Sequence, residues 1–410
     1  MTTHTRLLIL FSLWAAPAYA SSPLVGHFHL AEGQYVVGGP AFVVFELANT
    51  GVQPLRIQIA NALSPCAGYL FQIDGEKRAD GTCDGLPGHS CATGTIELAP
   101  GAKTTQRVLL NYYYELPHPG PYHIHAKRSV TWWPAAQDLF GEHREQEVFE
   151  DNVELDLQLA NAAALRAVFS PYLNALPSEN TQTHEEAVQA IVYLAPPFME
   201  DALLRMADSD DWGSALVGLR HLNTPRARAA LAKIVEFGVA IAPDADDLEK
   251  MQRSEEASAA MKYLGEMGDP AYFPLLLKAT QRAPLESQAR VYGPEAVAKL
   301  GGPDAVPFLA SEIDASTEGQ RIQAALAMSL TASRDAVPIL IDLLQSPDGQ
   351  LRQVAENGLE TLTHRTATTE NVSTVDPAWL HKTWQSWWAS NSAAAPIYAH
   401  HECGEKLRLD

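Results

Sequence analysis

Two histidine pairs carry the first recognisable chemistry in the sequence. His27 and His29 flank Phe28, and His123 and His125 flank Ile124. Residues two apart on a strand share a face. Phe28 and Leu30, and likewise Tyr122, Ile124 and Ala126, would then face a core and leave the imidazoles outward. Four neutral imidazoles converging from adjacent strands would suit copper or zinc. Two solvent-facing pairs with no metal are the plainer reading, so no metal and no cofactor are expected. His400, His401 and Cys403 form a second group of metal-ligand types. His184-Glu185-Glu186 begins like a zinc-protease helix, but the second histidine one turn on is missing. Its acidic residues, read as lying near a helix start, suit the helix dipole. Asp208, Asp210 and Asp211, like Asp244, Asp246 and Asp247, are dense in carboxylate, yet the central glycine and distal glutamate of a calcium loop are absent. Helix caps and loops between helices account for both clusters. The sequence contains no nucleophile elbow, Walker loop or dinucleotide fingerprint. No catalytic residue is assigned, and an enzyme is not expected.

Four cysteines complete the reactive inventory: Cys66, Cys83, Cys91 and Cys403. Their reading depends on compartment. Arg6, the apolar run Leu7 to Ala16, and Ala18-Tyr19-Ala20 have the order of a secretory leader cleaved after Ala20. The apolar run is too short to span a bilayer, and no later stretch reaches that length. The chain is therefore expected to be exported, periplasmic or secreted, where disulfides persist. Four cysteines allow three connectivities. At least one bond inside the Cys66–Cys91 segment is expected, and a leftover thiol could staple the tail through Cys403. The absence of C-x-x-C spacing argues against a zinc site.

With 29 Lys+Arg against 49 Asp+Glu, the chain carries a formal charge of −20. Loss of the leader removes Arg6 and no acidic residue, so the mature chain is one unit more negative. A polyanion repels phosphate backbones and anionic lipid, so nucleic acid is a poor partner. Hydrophobic residues make up 46% of the 410, enough for two or three packed domains.

The elements that would hold these residues change character along the chain. From 22 to about 160 the pattern has period two. Leu55, Ile57 and Ile59 alternate with Arg56 and Gln58, and Val153 to Leu159 alternates likewise. Phe42 to Leu47 reads as a central strand. Gly38-Gly39-Pro40, Asn49-Thr50-Gly51, Ala99-Pro100-Gly101 and Pro119-Gly120-Pro121 mark turns. Many short strands imply an antiparallel β-sandwich. Tyr35 to Pro40 with Phe42 to Gly51, and the Pro-Gly-x-Tyr opening at 119–122, resemble bacterial Ig-like domains. Trp132-Trp133-Pro134 and the polar run Glu142 to Gln146 are read as a long hairpin loop. One tryptophan would pack down and the other lie over it, or the two would form a recognition patch.

From about 161 the apolar spacing becomes helical. Ile322, Leu326 and Leu330 define one stripe; Leu351, Val354, Ala355, Gly358, Leu359 and Leu362 define another. The helices repeat as pairs. Gly268-Asp269-Pro270-Ala271-Tyr272-Phe273-Pro274 returns as Gly301-Gly302-Pro303-Asp304-Ala305-Val306-Pro307 and as Ser333-Arg334-Asp335-Ala336-Val337-Pro338. An earlier copy sits at Asn223-Thr224-Pro225. These motifs, over 182–365, resemble HEAT repeats of the short subtype also seen in bilin lyases. Gly293-Pro294 departs from the pattern and should break or kink its helix. Trp384, Trp387 and Trp388 share one helical face and would cap the array's last apolar end, or would stack a ligand.

The expected organisation is a leader at 1–20, an Ig-like β-sandwich at 22–160, a HEAT-repeat α-solenoid at 161–370, and a tryptophan-rich helix and tail at 371–410. The expected function is non-catalytic: an exported scaffold that binds protein partners through the solenoid surface. A lyase-like enzyme on a HEAT scaffold, and a metal-binding protein using the strand histidines, are the two alternatives.

Overall fold

The computed structural model describes residues 22–64, 67–76, 93–136, 144–239, 247–284, 287–315, 317–368, 370–398 and 407–408. The leader, the four cysteines, His400 and His401, and Asp244 and Asp246 all lie outside the described residues.

The first eight strands form two antiparallel sheets. β1 (Leu24–Leu30), β2 (Phe42–Asn49) and β6 (Lys103–Leu109) make one, with β2 central as its apolar run requires. β3 (Leu55–Ala60), β4 (Tyr69–Ile73), β5 (Thr93–Leu98), β7 (Gly120–Pro134) and β8 (Glu145–Leu157) make the other. Their inner faces share one core. Phe28 stands edge-on to Phe71 at 6.4 Å, and Phe45 edge-on to Tyr69 at 6.2 Å. Such aromatic pairs join apolar burial to quadrupole attraction. Arg128 is buried in this layer, its guanidinium lying over both Phe45 and Tyr69 and donating to the Tyr69 hydroxyl at 2.6 Å. The ring faces replace water around the charge. Asn49 closes the turn after β2: its amide donates to the Gln53 and Leu98 carbonyls, and its carbonyl accepts from Gly51.

Residues 132–134 differ from the expected loop. β7 runs through Trp132 and Trp133, which pair with Ile57 and Arg56 of β3. Trp133 is buried, with the Arg144 guanidinium 4.9 Å above its ring, while Trp132 packs partly buried against the core. The β-branched and aromatic content of 130–133 continues the strand, and the polar residues after it mask that in the sequence. Leu159, expected to share the face of Val153 and Leu155, lies past the end of β8 and is exposed.

Helices follow: α1 (Ala162–Ala175), α2 (Thr181–Leu194), α3 (Glu200–Met206), α4 (Trp212–Leu222), α5 (Pro225–Val239), α6 (Asp247–Met267), α7 (Phe273–Arg282), α8 (Gln288–Gly301), α9 (Val306–Ala315), α10 (Glu318–Met328), α11 (Ala336–Leu343), α12 (Gly349–Thr363) and α13 (Pro377–Asn391). After α1 they run as antiparallel pairs. The first member of each pair packs on the first members of its neighbours, from α2 through α12. The first helix of each pair is followed by a residue of positive φ: Ala195, Asn223, Gly268, Gly302, Ala332 and His364, with Ala332 coming after a 3-10 turn at Ser329–Thr331 that extends α10 and Gly302 differing from the others in ψ. The left-handed position turns the chain sharply and lets the cap amide reach a carbonyl of the last turn. Four of the six are not glycine. The repeat therefore accepts a local backbone cost at these turns, and Ala195, followed by Pro196-Pro197, adds a pair upstream of the copies read from the sequence.

Two expectations about packing are corrected. α8 is not broken at Gly293-Pro294 but runs as one helix from Gln288 to Gly301. A Cβ on Gly293 would stand 2.3 Å from Thr280 Oγ1, so the glycine is there for close approach to α7. In α10, Leu326 is exposed, and the buried surface is Ile322 with Ala324, Ala325 and Ala327. A helix packed on both flanks needs small residues more than a leucine stripe. β9 (Arg365–Thr366) and β10 (Leu407–Arg408) form a short parallel pair beyond the array.

Candidate interaction site at the sheet–helix junction

The sandwich meets the helical array along β6, the loop from Ala31 to Ala41, α1 and α2. Apolar patterning puts Phe42 at the start of β2, and the 3.6-residue period brings Tyr172 and Tyr193 to the facing sides of α1 and α2. Phe42 stacks on Tyr172 with ring centres 6.0 Å apart, and Tyr112 meets Tyr193 edge-on at 4.9 Å. Ala190 and the partly buried Tyr172 and Tyr193 pack into the sandwich core, making the contact apolar at its centre.

One ion pair crosses this contact. Arg107 of β6 reaches Glu186 of α2 at 3.1 Å, and its guanidinium lies 5.1 Å from the centre of the Phe42 ring. Burial pushes the Glu186 carboxyl above the usual range, and the Arg107 charge pulls it back. A half-buried carboxylate keeps its charge only through such a partner. The pair is the shared wall of two clefts, each of about 510 Å³. The first is lined by Tyr35, Phe42, Tyr172 and Glu32; the second by Thr105, Gln182, Glu185 and Gln189. Burial pushes the Tyr35 phenol up to about 12, so it stays a neutral donor, bonded to the Ala31 carbonyl.

Two histidines on this side of the array have fixed roles. Nδ1 of His184 lies 2.6 Å from the Leu176 carbonyl and Nε2 lies 3.0 Å from Asp211 Oδ1. Only the doubly protonated ring donates to both acceptors. The Asp211 hydrogen bond raises its pKa accordingly. Thus the expected cap at Asp211 is corrected: the carboxylate stands before α4 but takes His184, and no side-chain cap bond forms. Glu185 and Glu186 likewise lie beyond the first turn of α2, whose cap is Asn180. His221 is the opposite case, its pKa lowered by burial, with Nδ1 at 3.0 Å from the Val192 carbonyl.

The strand histidines are outward, as their neighbours require, but they are not gathered together. β1 pairs with β2, and β8 pairs with β7, so His27 and His29 belong to one sheet and His123 and His125 to the other. His27, His123 and His125 each lie 3.7 to 3.8 Å from a carboxylate, of Asp151, Glu154 and Glu150. His29 Nδ1 contacts the Leu30 carbonyl. Among the described residues no group of three or more His, Cys, Asp or Glu is placed to hold a metal ion. Asp151 also ties the two sheets together, its carboxylate accepting from the Phe28 amide at 2.7 Å at the seam where β8 passes β1.

Trp384 is fully buried and Trp387 nearly so, edge-on to one another at 5.7 Å, with Trp388 half-buried beside them. The Trp384 indole donates to the buried carboxylate of Glu356 in α12, which also accepts from the Ala367 amide at 3.2 Å. Trp379, which the helical spacing of the other three tryptophans leaves out, is the exposed one at 47%. Arg107, Tyr172 and Glu32 also escape a reading of the sequence alone. No local motif marks them, since the cleft exists only once strand and helix are side by side.

Residues 257–282 match the family described as the PBS lyase HEAT-like repeat. The match spans the second half of α6, the left-handed turn at Gly268, and α7, and it establishes a helical-repeat scaffold there. No curated protein matches the chain. Among solved structures, phycocyanin lyase from Nostoc sp. PCC7120, as the complex of CpcE and CpcF, is 17% identical, covering 54% of this chain and 82% of that one with a TM-score of 0.32. Trypsin-activated α-2-macroglobulin from Escherichia coli is 12% identical over 89% of this chain and 29% of that one, with a TM-score of 0.21. Methylamine-reacted α-2-macroglobulin from Salmonella is 11% identical over 89% and 27%, with a TM-score of 0.18. These superpositions are too loose to support an argument about fold or function. Among the described residues, no helix is long and apolar enough to cross a membrane.

Proposed function

We propose that this chain is an exported, non-catalytic scaffold that binds a protein partner along its helical array. The observation that carries this is the series of helix pairs from α2 to α12, whose first members pack one on the next and are each followed by a residue of positive φ. Stacked pairs of this kind build one extended surface in which every unit offers side chains to a partner. α13, with Trp384 buried on Glu356, is read as the cap that ends the series, and the sandwich as an Ig-like module fixed at its other end. The leader-like order of residues 1–20 supports export, and −20 of charge favours a cationic or neutral partner.

The test is cross-linking of the purified full chain in an envelope extract, with the cross-linked residues mapped by mass spectrometry. Cross-links to one protein, clustered within 161–390, are expected, as is an N-terminus beginning at Ser21. A lyase-like activity is the second reading, favoured by the repeat family matched at 257–282. Covalent transfer of a bilin to an acceptor protein, with no stable partner recovered, would replace the first reading by the second.

A further inference from the structure

The sandwich leaves a strand edge open where it faces α2. Among the described residues, β6 pairs with β2 alone. Asn49 N donates to the Ala102 carbonyl, and Leu110 N to the Ala41 carbonyl, at the two ends of the β2–β6 register. Bonded pairs alternate along an antiparallel ladder. Thr104, Gln106 and Val108 therefore direct their backbone groups to β2, while Lys103, Thr105 and Arg107 direct theirs to the open side. Among the described residues, none bonds the Thr105 backbone there. An open edge of this kind is a template for another strand.

The wall facing that edge is polar and acidic. Gln182, Glu185, Glu186 and Gln189 of α2 line the second cleft together with Thr105 and Gln106 of β6. The side-chain carbonyl oxygen of Gln189 is buried and, among the described residues, accepts no hydrogen bond. Such an orphan acceptor costs free energy until a donor reaches it. Glu185 is exposed, and the Arg107–Glu186 pair closes the cleft on the side of Phe42. The wall thus holds two carboxylates for one guanidinium, in a chain of net charge −20.

We propose that this cleft takes a short extended segment of a basic partner protein. Its main chain adds to β6 at Thr105, and a lysine or arginine side chain reaches Glu185 and the Gln189 carbonyl. Main-chain bonds supply affinity in this mode, and the flanking side chains supply selectivity. The inference stands apart from the docking surface proposed for the helical array.

A fluorescein-labelled hexapeptide of alternating valine and lysine, and its valine–glutamate counterpart, are titrated into the full chain. The lysine peptide is expected to bind about tenfold more tightly or better. Thr105→Pro removes only the outward amide, and proline is tolerated on an edge strand. The fold is expected to persist while lysine-peptide binding falls about tenfold. Glu185→Gln is expected to weaken binding several-fold and to flatten its salt dependence. If Thr105→Pro fails to fold, slowed hydrogen exchange of the Thr105 amide under the lysine peptide is the expected sign in the wild type. Failure of the lysine peptide to bind, equal binding of the two peptides, undiminished binding by folded Thr105→Pro, or an unprotected Thr105 amide each overturns the inference. Wild-type self-association lost in Thr105→Pro gives the edge to a second copy, and overturns it as well. A partner cross-linked to the helical array by a chain blind to both peptides leaves the proposed function standing without this cleft.

Discussion

At the scale of single residues, His184 and Asp211 are legible in the sequence as residues but not as partners. His184 stands in a near-miss of a zinc motif, and Asp211 in a carboxylate cluster; only the fold brings them within 3.0 Å. Their pairing sets a pH dependence of known sign. The folded-state pKa of His184 is raised, first by the Asp211 hydrogen bond. Its contribution to stability is therefore complete below the unfolded value of about 6.5 and disappears as pH climbs through the raised value. His221, lowered by burial, acts on the other side, losing its contribution as pH falls through its lowered value. The melting temperature of the wild type is expected to decline as pH rises from about 6.5 through the raised His184 value, and that of His184→Gln to stay flatter over the same range. Parallel curves for the two proteins would refute the clamp.

At the scale of elements, periodicity reveals the strands and helices, while side-chain size decides how they meet. The alternation at 55–59 and the stripe at 351–362 point to the core, as their spacing predicts. In the stripe at 322–330, Ile322 is buried and Leu330 packs against the core, while Leu326 is exposed and the alanines of α10 make the close contacts. Glycines record the same constraint. A Cβ on Gly265 of α6 would lie 2.8 Å from the Ala296 Cα of α8, a contact with backbone that cannot swing aside. Gly265→Val is expected to force the two helices apart and to cost about 1–3 kcal/mol, read as a shift of the urea midpoint. An unchanged midpoint would mean that α6 and α8 tolerate separation.

At the scale of the whole chain, the sequence announces two kinds of structure and is silent on their joint. The change from period two to period 3.6 near residue 160 is local information. The joint rests on Arg107 with Glu186 and Phe42 with Tyr172, residues far apart in sequence whose pairing no local motif marks. Aromatic stacking and a half-buried ion pair, each modest alone, act here on one surface. Wild-type unfolding in a calorimeter is expected to show one transition. The double variant Arg107→Ala with Tyr172→Ala is expected to split it into two, as the sandwich and the array lose their coupling. A single transition in the double variant would place the coupling elsewhere in the contact.

The six residues of positive φ that follow the first helices of the pairs carry a consequence for how such a chain changes length over evolutionary time. Each marks an equivalent phase of the backbone path. Excision or duplication from one of these points to the next, such as from Gly302 to Thr331, rejoins ends that already have matching direction and matching neighbours. A cut from the first helix of one pair to the second helix of the next rejoins ends pointing opposite ways. The natural unit of growth in this molecule is thus defined by dihedral angle, and a lengthened relative would be expected to add its residues in those quanta.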